Sequence, residues 1–428
     1  MRLAINSFFV FLFLTNHAFS QAPSQAKWTI MVYLNADNNL EECGIWDFDE
    51  IAKVGSTSEV NVIVQMDRIG KYCVTSPQWT QTLRFRVTKG MKAIPKNASK
   101  DLGEVNMGLG DSLRDFVRYC QFNYRADHYF LIIWDHGQGY RGIGSEKRFN
   151  FRSTSTVPFK SVSNDETDKD KLYNREIQDA LNNPADPITK LDVIGFDACL
   201  MAMVETAYAM RDASKYMVAS EEIESGYGWD YTRWLGKIIG NPNMTDEEAA
   251  KQTVDSYREA CESIQGSTYS AIDLSKISLI ASQISELADA LSEKIDDSSH
   301  LIEAARKKCK EFAPEGFGNR KDYFRHIDLG YFCEMIADLN ISPIVTNQAK
   351  ILRKTLASTV ISCYAHESRT KGWGSYGLAI YFPKGNDDYI NDRFTEKGYE
   401  QENTLFPVEF VQKYHWDEFL HSYWRKIK

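Results

Sequence analysis

Two stretches decide the fold: residues 130–137, FLIIWDHG, and residues 192–201, DVIGFDACLM. Each is an apolar run of strand length that ends directly in a reactive side chain, His136 or Cys199. Near-continuous apolar runs are what strands buried on both faces of a parallel sheet require. More of them stand on either side: WTIMVYL (28–34), VNVIVQM (60–66) and YMVA (216–219), with TQTLRFRV (80–87) alternating like a half-exposed strand. Between them lie amphipathic helices, at 111–124 with Leu113, Phe116, Val117, Cys120 and Tyr124 on one face, at 173–183, and at 200–213. Strands alternating with helices predict an α/β protein, a mainly parallel central sheet covered on both faces. Such sheets gather ligands at the carboxyl ends of their strands, where His136 and Cys199 both fall.

Farther along, Thr245-Asp-Glu-Glu248 is a capping box opening a helix toward Ile264, and Tyr269–Leu274 has strand character. Residues 276–296, 299–312 and 344–358 carry helical periodicity, and Tyr376–Phe382 returns to strand before Pro383 stops it. The expected organisation is a core over 21–275 and a mainly helical region over 276–428 that donates a late strand. The aromatic tail (Tyr414, Trp416, Phe419, Tyr423, Trp424) reads as packing, and His326 as a satisfied surface histidine. Residues 145–171 form the longest polar stretch, basic in the first half and acidic in the second, which predicts a loop that is functional or disordered.

The N-terminus reads as a cleaved secretory signal over 1–20: Arg2, the apolar run FFVFLFL (8–14), and Ala18-Phe19-Ser20 before the cut. No cysteine lies near that cut, so a lipoprotein anchor is not expected and the destination is secreted or periplasmic. The chain of 428 residues has 43% hydrophobic and 25% charged residues, an ordinary globular balance, and a net charge of −9. That charge, without basic clusters, argues against nucleic-acid partners. No membrane span is expected once the signal is removed. The eight cysteines include no C-x-x-C pair, which excludes zinc-ribbon and thioredoxin-type sites and leaves disulfide pairing unassigned. Neither H-E-x-x-H nor G-x-S-x-G occurs, so metallohydrolase and serine-hydrolase chemistry lack their motifs.

Cysteine chemistry does have its parts. A thiol needs a base to become a nucleophile at neutral pH, and a histidine at a neighbouring strand end supplies one. Gly137 leaves room for a peptide, and its N–H with that of Cys199 makes an oxyanion donor pair. The dipole of a helix starting after Cys199 would favour thiolate. The residues alone leave the bland readings open: Cys199 as a small buried hydrophobe, His136-Gly137 as a turn, Asp37 as a helix cap.

Five stretches in order, WTIMVYLNADNNLE (28–41), FLIIWDHGQGYRG (130–142), DVIGFDACLMAMVETAYAM (192–210), VASEEIESGYGWDYTRWL (218–235) and YGLAIYFP (376–383), resemble the clostripain family of cysteine peptidases, relatives of caspases, legumains and gingipains. The resemblance implies a caspase-like α/β/α sandwich and an endopeptidase that cuts after Arg or Lys, with His136 and Cys199 as its dyad. It implies that Asp197 lines the pocket for the basic residue, with a second acid among Glu221, Glu222, Glu224 and Asp230. It also implies a zymogen clipped between histidine and cysteine, by itself, after Lys147, Arg148, Arg152 or Lys160. No cofactor or metal is needed for the chemistry. Calcium, required by some relatives, is an open question at Asp37–Glu41. The rival reading is a non-catalytic exported binding protein on the same scaffold.

Overall fold

The computed structural model describes residues 25–73, 77–137, 161–226, 228–312, 325–366, 374–385, 399–400 and 408–427. Thirteen strands are found among them: β1 (Ala26–Ala36), β2 (Val60–Arg68), β3 (Leu83–Arg86), β4 (Lys100–Asp101), β5 (Ala126–Trp134), β6 (Ser161–Asp165), β7 (Asp170–Tyr173), β8 (Leu191–Asp197), β9 (Ser214–Ala219), β10 (Thr268–Asp273), β11 (His326–Asp328), β12 (Val360–Ala365) and β13 (Ala379–Tyr381). Nine form the central sheet, in the order β12-β10-β9-β8-β5-β1-β2-β3-β4. The five middle strands, from β9 to β2, are parallel, and antiparallel strands close both edges.

Alternation along each strand sends side chains to two separate cores. Trp28, Ile30, Val32 and Leu34 of β1 join one core, where helices α1 (Glu41–Val54), α5 (Tyr231–Gly240) and α6 (Asp246–Cys261) lie. Met31 and Tyr33 join the other, against α2 (Gly110–Asn123), α3 (Asn174–Leu181) and α4 (Val204–Met210). That second core runs on without a break into α7 (Ile277–Ser292), α8 (Ile295–Lys308), α9 (Leu329–Asp338), α10 (Pro343–Thr359), α11 (Glu409–Lys413) and α12 (Trp416–Trp424). The result is a helix–sheet–helix sandwich of the caspase-like kind. The tail aromatics do pack: Trp416 donates its indole N–H to the Tyr381 carbonyl at 2.8 Å, and its ring meets Phe382.

Several local expectations need correction. Residues 376–382 do contain a strand, but β13 pairs with β11 outside the central sheet; β12 is the late strand that joins it. His326 is fully buried in β11, not on the surface. The helix expected from residue 200 starts only at Val204. Before it, Leu200 takes a φ of +62°, Leu200 N–H donates to Glu222 O, and Ala202 N–H donates to Ser220 O. Backbone claimed by a neighbouring loop cannot coil, and a leucine at positive φ interrupts any helix. The acidic half of the 145–171 stretch is an ordered hairpin, β6–β7. No disulfide links any of the eight cysteines, all of which are described.

The chain leaves β1 toward β2 on one side and later returns to place β5 on the other side of β1, continuing outward to β8 and β9. The direction of winding thus reverses between β1 and β5. The carboxyl ends of β1, β5 and β8 face one crevice there, as expected at a topological switch point.

Candidate active site

His136 and Cys199 come together at that crevice. In-register pairing of β5 with β8 sets Trp134 beside Asp197, so the loops that follow run side by side. Gly137 is the closest approach: a Cβ built on it would stand 1.9 Å from the Cys199 carbonyl oxygen and 2.4 Å from the Cys199 nitrogen. Only glycine fits, because the obstacle is backbone and cannot swing aside. Cys199 is fully buried and His136 is 7% exposed.

The imidazole is oriented by a residue that the sequence reading passed over. Asn39 Oδ1 lies 2.8 Å from His136 Nε2. An amide oxygen only accepts, so Nε2 carries the proton and Nδ1 becomes the basic nitrogen. Asn39 lies in the D-N-N run after β1, and the sheet order that sets β1 beside β5 is what brings it to His136. Asp135 holds the loop itself, accepting from Asn38 Nδ2 at 2.9 and 3.0 Å and from the backbone N–H groups of His136 and Asn164.

The thiol is supported differently from expectation. No helix begins at Cys199; instead, the Glu224 N–H donates to Cys199 Sγ at 3.3 Å, and the Glu224 carboxylate accepts from Ala198 N–H at 3.2 Å. A donor aimed at sulfur favours the thiolate as a dipole would. Among the other acids singled out, Glu222 pairs with Lys310 at 2.7 Å and Asp230 caps α5 through Arg233 N–H. Glu221 accepts from Gly377 N–H at 3.2 Å, and burial pushes its carboxyl well up. Asp197 ends β8, fully buried; its Oδ2 accepts from Tyr231 Oη at 3.0 Å, and Gly228 lies against both carboxylate oxygens. Lys147, Arg148, Arg152 and Lys160 lie outside the described residues, as do residues 1–20, where a signal is expected.

The D-N-N-L-E stretch splits into separate tasks. Asp37 does not cap α1: its Oδ1 accepts from Thr167 N–H in the β6–β7 turn at 3.2 Å, while Asn38 Oδ1 accepts from Leu40 N–H at 2.8 Å. Glu41, fully buried, bonds Arg68 Nε at 2.9 Å and accepts from the N–H groups of Gly70, Lys71, Tyr72 and Cys73. Two sets of side chains have spacing that could hold a metal ion. In one, His128, Asp192 and Asp246, the Lys215 ammonium already sits 2.7 Å from both carboxylates. In the other, Asp37, Asp67 and Asp165, all buried, bring carboxylate oxygens within 4.8 Å of one another.

With this geometry in view, similarity to known proteins is informative. The profile of the clostripain family matches residues 32–424. Clostripain from Hathewaya histolytica is 27% identical over 421 residues, covering 86% of this chain and 77% of that one. A secreted C11 cysteine protease from Bacteroides thetaiotaomicron, solved with an irreversible peptide inhibitor, superposes with a TM-score of 0.59 at 17% identity, covering 90% of this chain and 98% of that one. An inactive zymogen C11 protease from Parabacteroides distasonis also gives 0.59, at 16% identity, covering 93% and 99%. The two structures share the fold of this chain, and the family profile spans nearly all of it. The chain belongs to the clostripain family and is a cysteine endopeptidase.

Proposed function

We propose that this protein is an exported endopeptidase that cuts after Arg or Lys with Cys199 as nucleophile and His136 as base. The observation that carries the reading is the Gly137–Cys199 backbone contact, which brings the two strand-end loops together while Asn39 presents His136 as the Nε2–H tautomer. His136 Nδ1 takes the thiol proton, and Sγ attacks the carbonyl carbon that follows the basic residue. The N–H groups of Gly137 and Cys199 receive the oxyanion. The imidazolium protonates the departing amine, and water then hydrolyses the thioester and restores the thiol.

For Asp197, support comes from its place at the end of β8, two residues before the nucleophile, where a carboxylate would meet a guanidinium or ammonium. Glu224 is the second acid we favour, because its carboxylate already touches the nucleophile loop. The full burial of Cys199 suits a precursor opened by cleavage after Lys147, Arg148, Arg152 or Lys160. The secreted and zymogen neighbours are in keeping with export and activation.

The test is a fluorogenic peptide panel varying the residue before the cut, run on wild type, Cys199→Ala and Asp197→Asn, with intact masses recorded. Turnover of Arg and Lys reporters lost in Cys199→Ala supports the reading, together with a preference blunted in Asp197→Asn. Turnover surviving in Cys199→Ala removes the dyad. An unchanged basic preference in Asp197→Asn removes the selector, and a clip persisting in Cys199→Ala removes self-processing.

A further inference from the structure

A cavity of about 760 Å³ lies between the second half of α2, the β3–β4 edge of the sheet and the turn into β5. The nine residues of β5, about 30 Å of strand, separate that turn from the catalytic crevice, and the cavity shares no residue with the dyad or its supports. Four cations line it, Arg84, Lys100, Arg118 and Arg125, against one carboxylate, Asp115. In a chain of net charge −9 this is a local reversal of sign. Asp115 pairs with Arg84, and Asp186 with Arg118. Lys100 and Arg125 are exposed and form no ion pair among the described residues. Arg84 is 1% exposed: Nε donates to Gln65 Oε1 at 2.7 Å, Nη2 donates to Asp115, and the guanidinium lies 4.5 Å from the centre of the Tyr119 ring. Its Nη1 has no acceptor among the described residues. A buried charged donor left without an acceptor is costly, and a ligand that brings one would relieve it. Beside these cations Phe122 is 76% exposed.

We propose that this cavity binds a small organic anion with an aromatic body, its charged group held by Arg84, Lys100 and Arg125 and its body lying on Phe122 and Tyr119. Guanidinium groups pair with carboxylates through two parallel N–H donors, and Lys100 adds a point charge. The aromatic rings are what a purely hydrophilic anion would not need; they offer a flat apolar face to the uncharged part of the ligand. The volume is that of cavities which enclose ligands of a few hundred daltons. A long polyanion fits less well, because beyond these four cations it would run over a chain of net charge −9 that repels it. An anion on Arg84 would also strengthen the joint that this side chain makes, through Gln65 of β2 and Asp115 of α2, so binding should stabilise the fold. The assignment does not rest on the dyad reading.

The experiment uses full-length Cys199→Ala protein, so that neither turnover nor self-cleavage enters the readout. The probes are dansylglycine, an aromatic carboxylate, and dansylamide, which keeps the same rings without the charge; binding is read by dye fluorescence. Dansylglycine should bind at one equivalent per chain, at least about tenfold more tightly than dansylamide, and raise the melting temperature by about 3 °C at a hundredfold excess over its Kd. Lys100 and Arg125 are exposed, so Lys100→Ala/Arg125→Ala in that background should melt as the parent does while binding dansylglycine at least about tenfold more weakly. Phe122→Ala should weaken both dyes alike, by about threefold or more. The proposal is overturned if dansylglycine shows no saturable binding, or if dansylamide binds as tightly. It is equally overturned if either variant binds dansylglycine as the parent does. Hexaglutamate binding more tightly than dansylglycine would assign the cavity to an acidic peptide instead and overturn the small anion.

Discussion

Replacing Asn39 by alanine tests whether the imidazole is held as the geometry implies. The change removes the acceptor 2.8 Å from His136 Nε2 and leaves the rest of the crevice in place. A hydrogen bond to neutral imidazole contributes about 1 kcal/mol, and one to imidazolium about 2 kcal/mol or somewhat more. In the proposed mechanism imidazolium forms when His136 takes the thiol proton, so the difference of about 1.4 kcal/mol should appear in the barrier as a roughly tenfold loss of kcat/KM. The same difference favours the charged ring by about one pH unit, so the limb of the pH–rate profile set by His136 should move down by about one unit in Asn39→Ala. Asn39→Asp should move it up, since a carboxylate stabilises imidazolium more than an amide does. The assay is kcat/KM against pH on an Arg-ending reporter, with melting curves recorded in parallel. A merely structural role would lower stability and leave the limb where it is. If both variants keep the wild-type limb and rate, Asn39 does not orient the base and the tautomer argument fails.

Gly137→Ala would place a methyl 1.9 Å from the Cys199 carbonyl oxygen, so the loops must part by about 1 Å; kcat/KM should fall about a hundredfold, and retention within threefold would contradict the contact. Glu41→Gln strips the charge from a fully buried ion pair with Arg68 and should cost about 3–5 kcal/mol in urea unfolding, with a lower midpoint at an unchanged slope. A loss below about 1 kcal/mol would contradict the account, since the amide NH2 of glutamine can accept neither from Arg68 nor from the backbone N–H groups that now bond Glu41. Glu409, bonded to Arg211, Lys413 and Gln178, has its carboxyl held down to about 2 by these partners against the opposing effect of partial burial. A depressed carboxyl contributes stability that is fully present above the unfolded carboxylate range and is lost as pH falls toward about 2. Glu409→Gln should therefore flatten the acid limb of the stability curve below about pH 4.5, and an unchanged limb would remove this pair from the account.

Much of the sheet was legible because parallel strands buried on both faces leave uninterrupted apolar runs, and β1, β2, β5, β8 and β9 all fall on such runs. The placement of His136 and Cys199 side by side was legible for the same reason: each closely follows the end of its strand, and the two strands are neighbours. What escaped depended on contacts distant in sequence. Asn39 meets His136 only because β1 and β5 are neighbours in the sheet, which nothing in D-N-N announces. The β6–β7 hairpin is polar and held by hydrogen bonds, Asn35 to Ser163 and Asn38 to Asn164, so it leaves no periodic apolar signature. The support for Cys199 Sγ comes from a backbone N–H, which every residue but proline carries, and composition cannot reveal it. The delayed start of α4 has the same origin, since backbone pairing with 220–222 overrides helix propensity at Leu200–Ala202.

These features share one cause. At a switch point the strands on either side feed loops that diverge, so the crevice between them is left without a covering chain and its polar backbone must be satisfied from elsewhere. In this protein the β6–β7 hairpin satisfies it, donating the Asn164 N–H to Asp135 and the Glu166 N–H to Asp37 O at 2.8 Å. The hairpin begins at residue 161, immediately after the segment that holds Lys147, Arg148, Arg152 and Lys160. Any event in that segment is therefore one short strand away from the residues that orient His136. The carboxylates gathered at Asp37, Asp67 and Asp165 stand at the same joint, where the hairpin meets the sheet. A cut before residue 161 should therefore reach His136 through the hairpin, whose Asn164 bonds both Asn38 and Asp135.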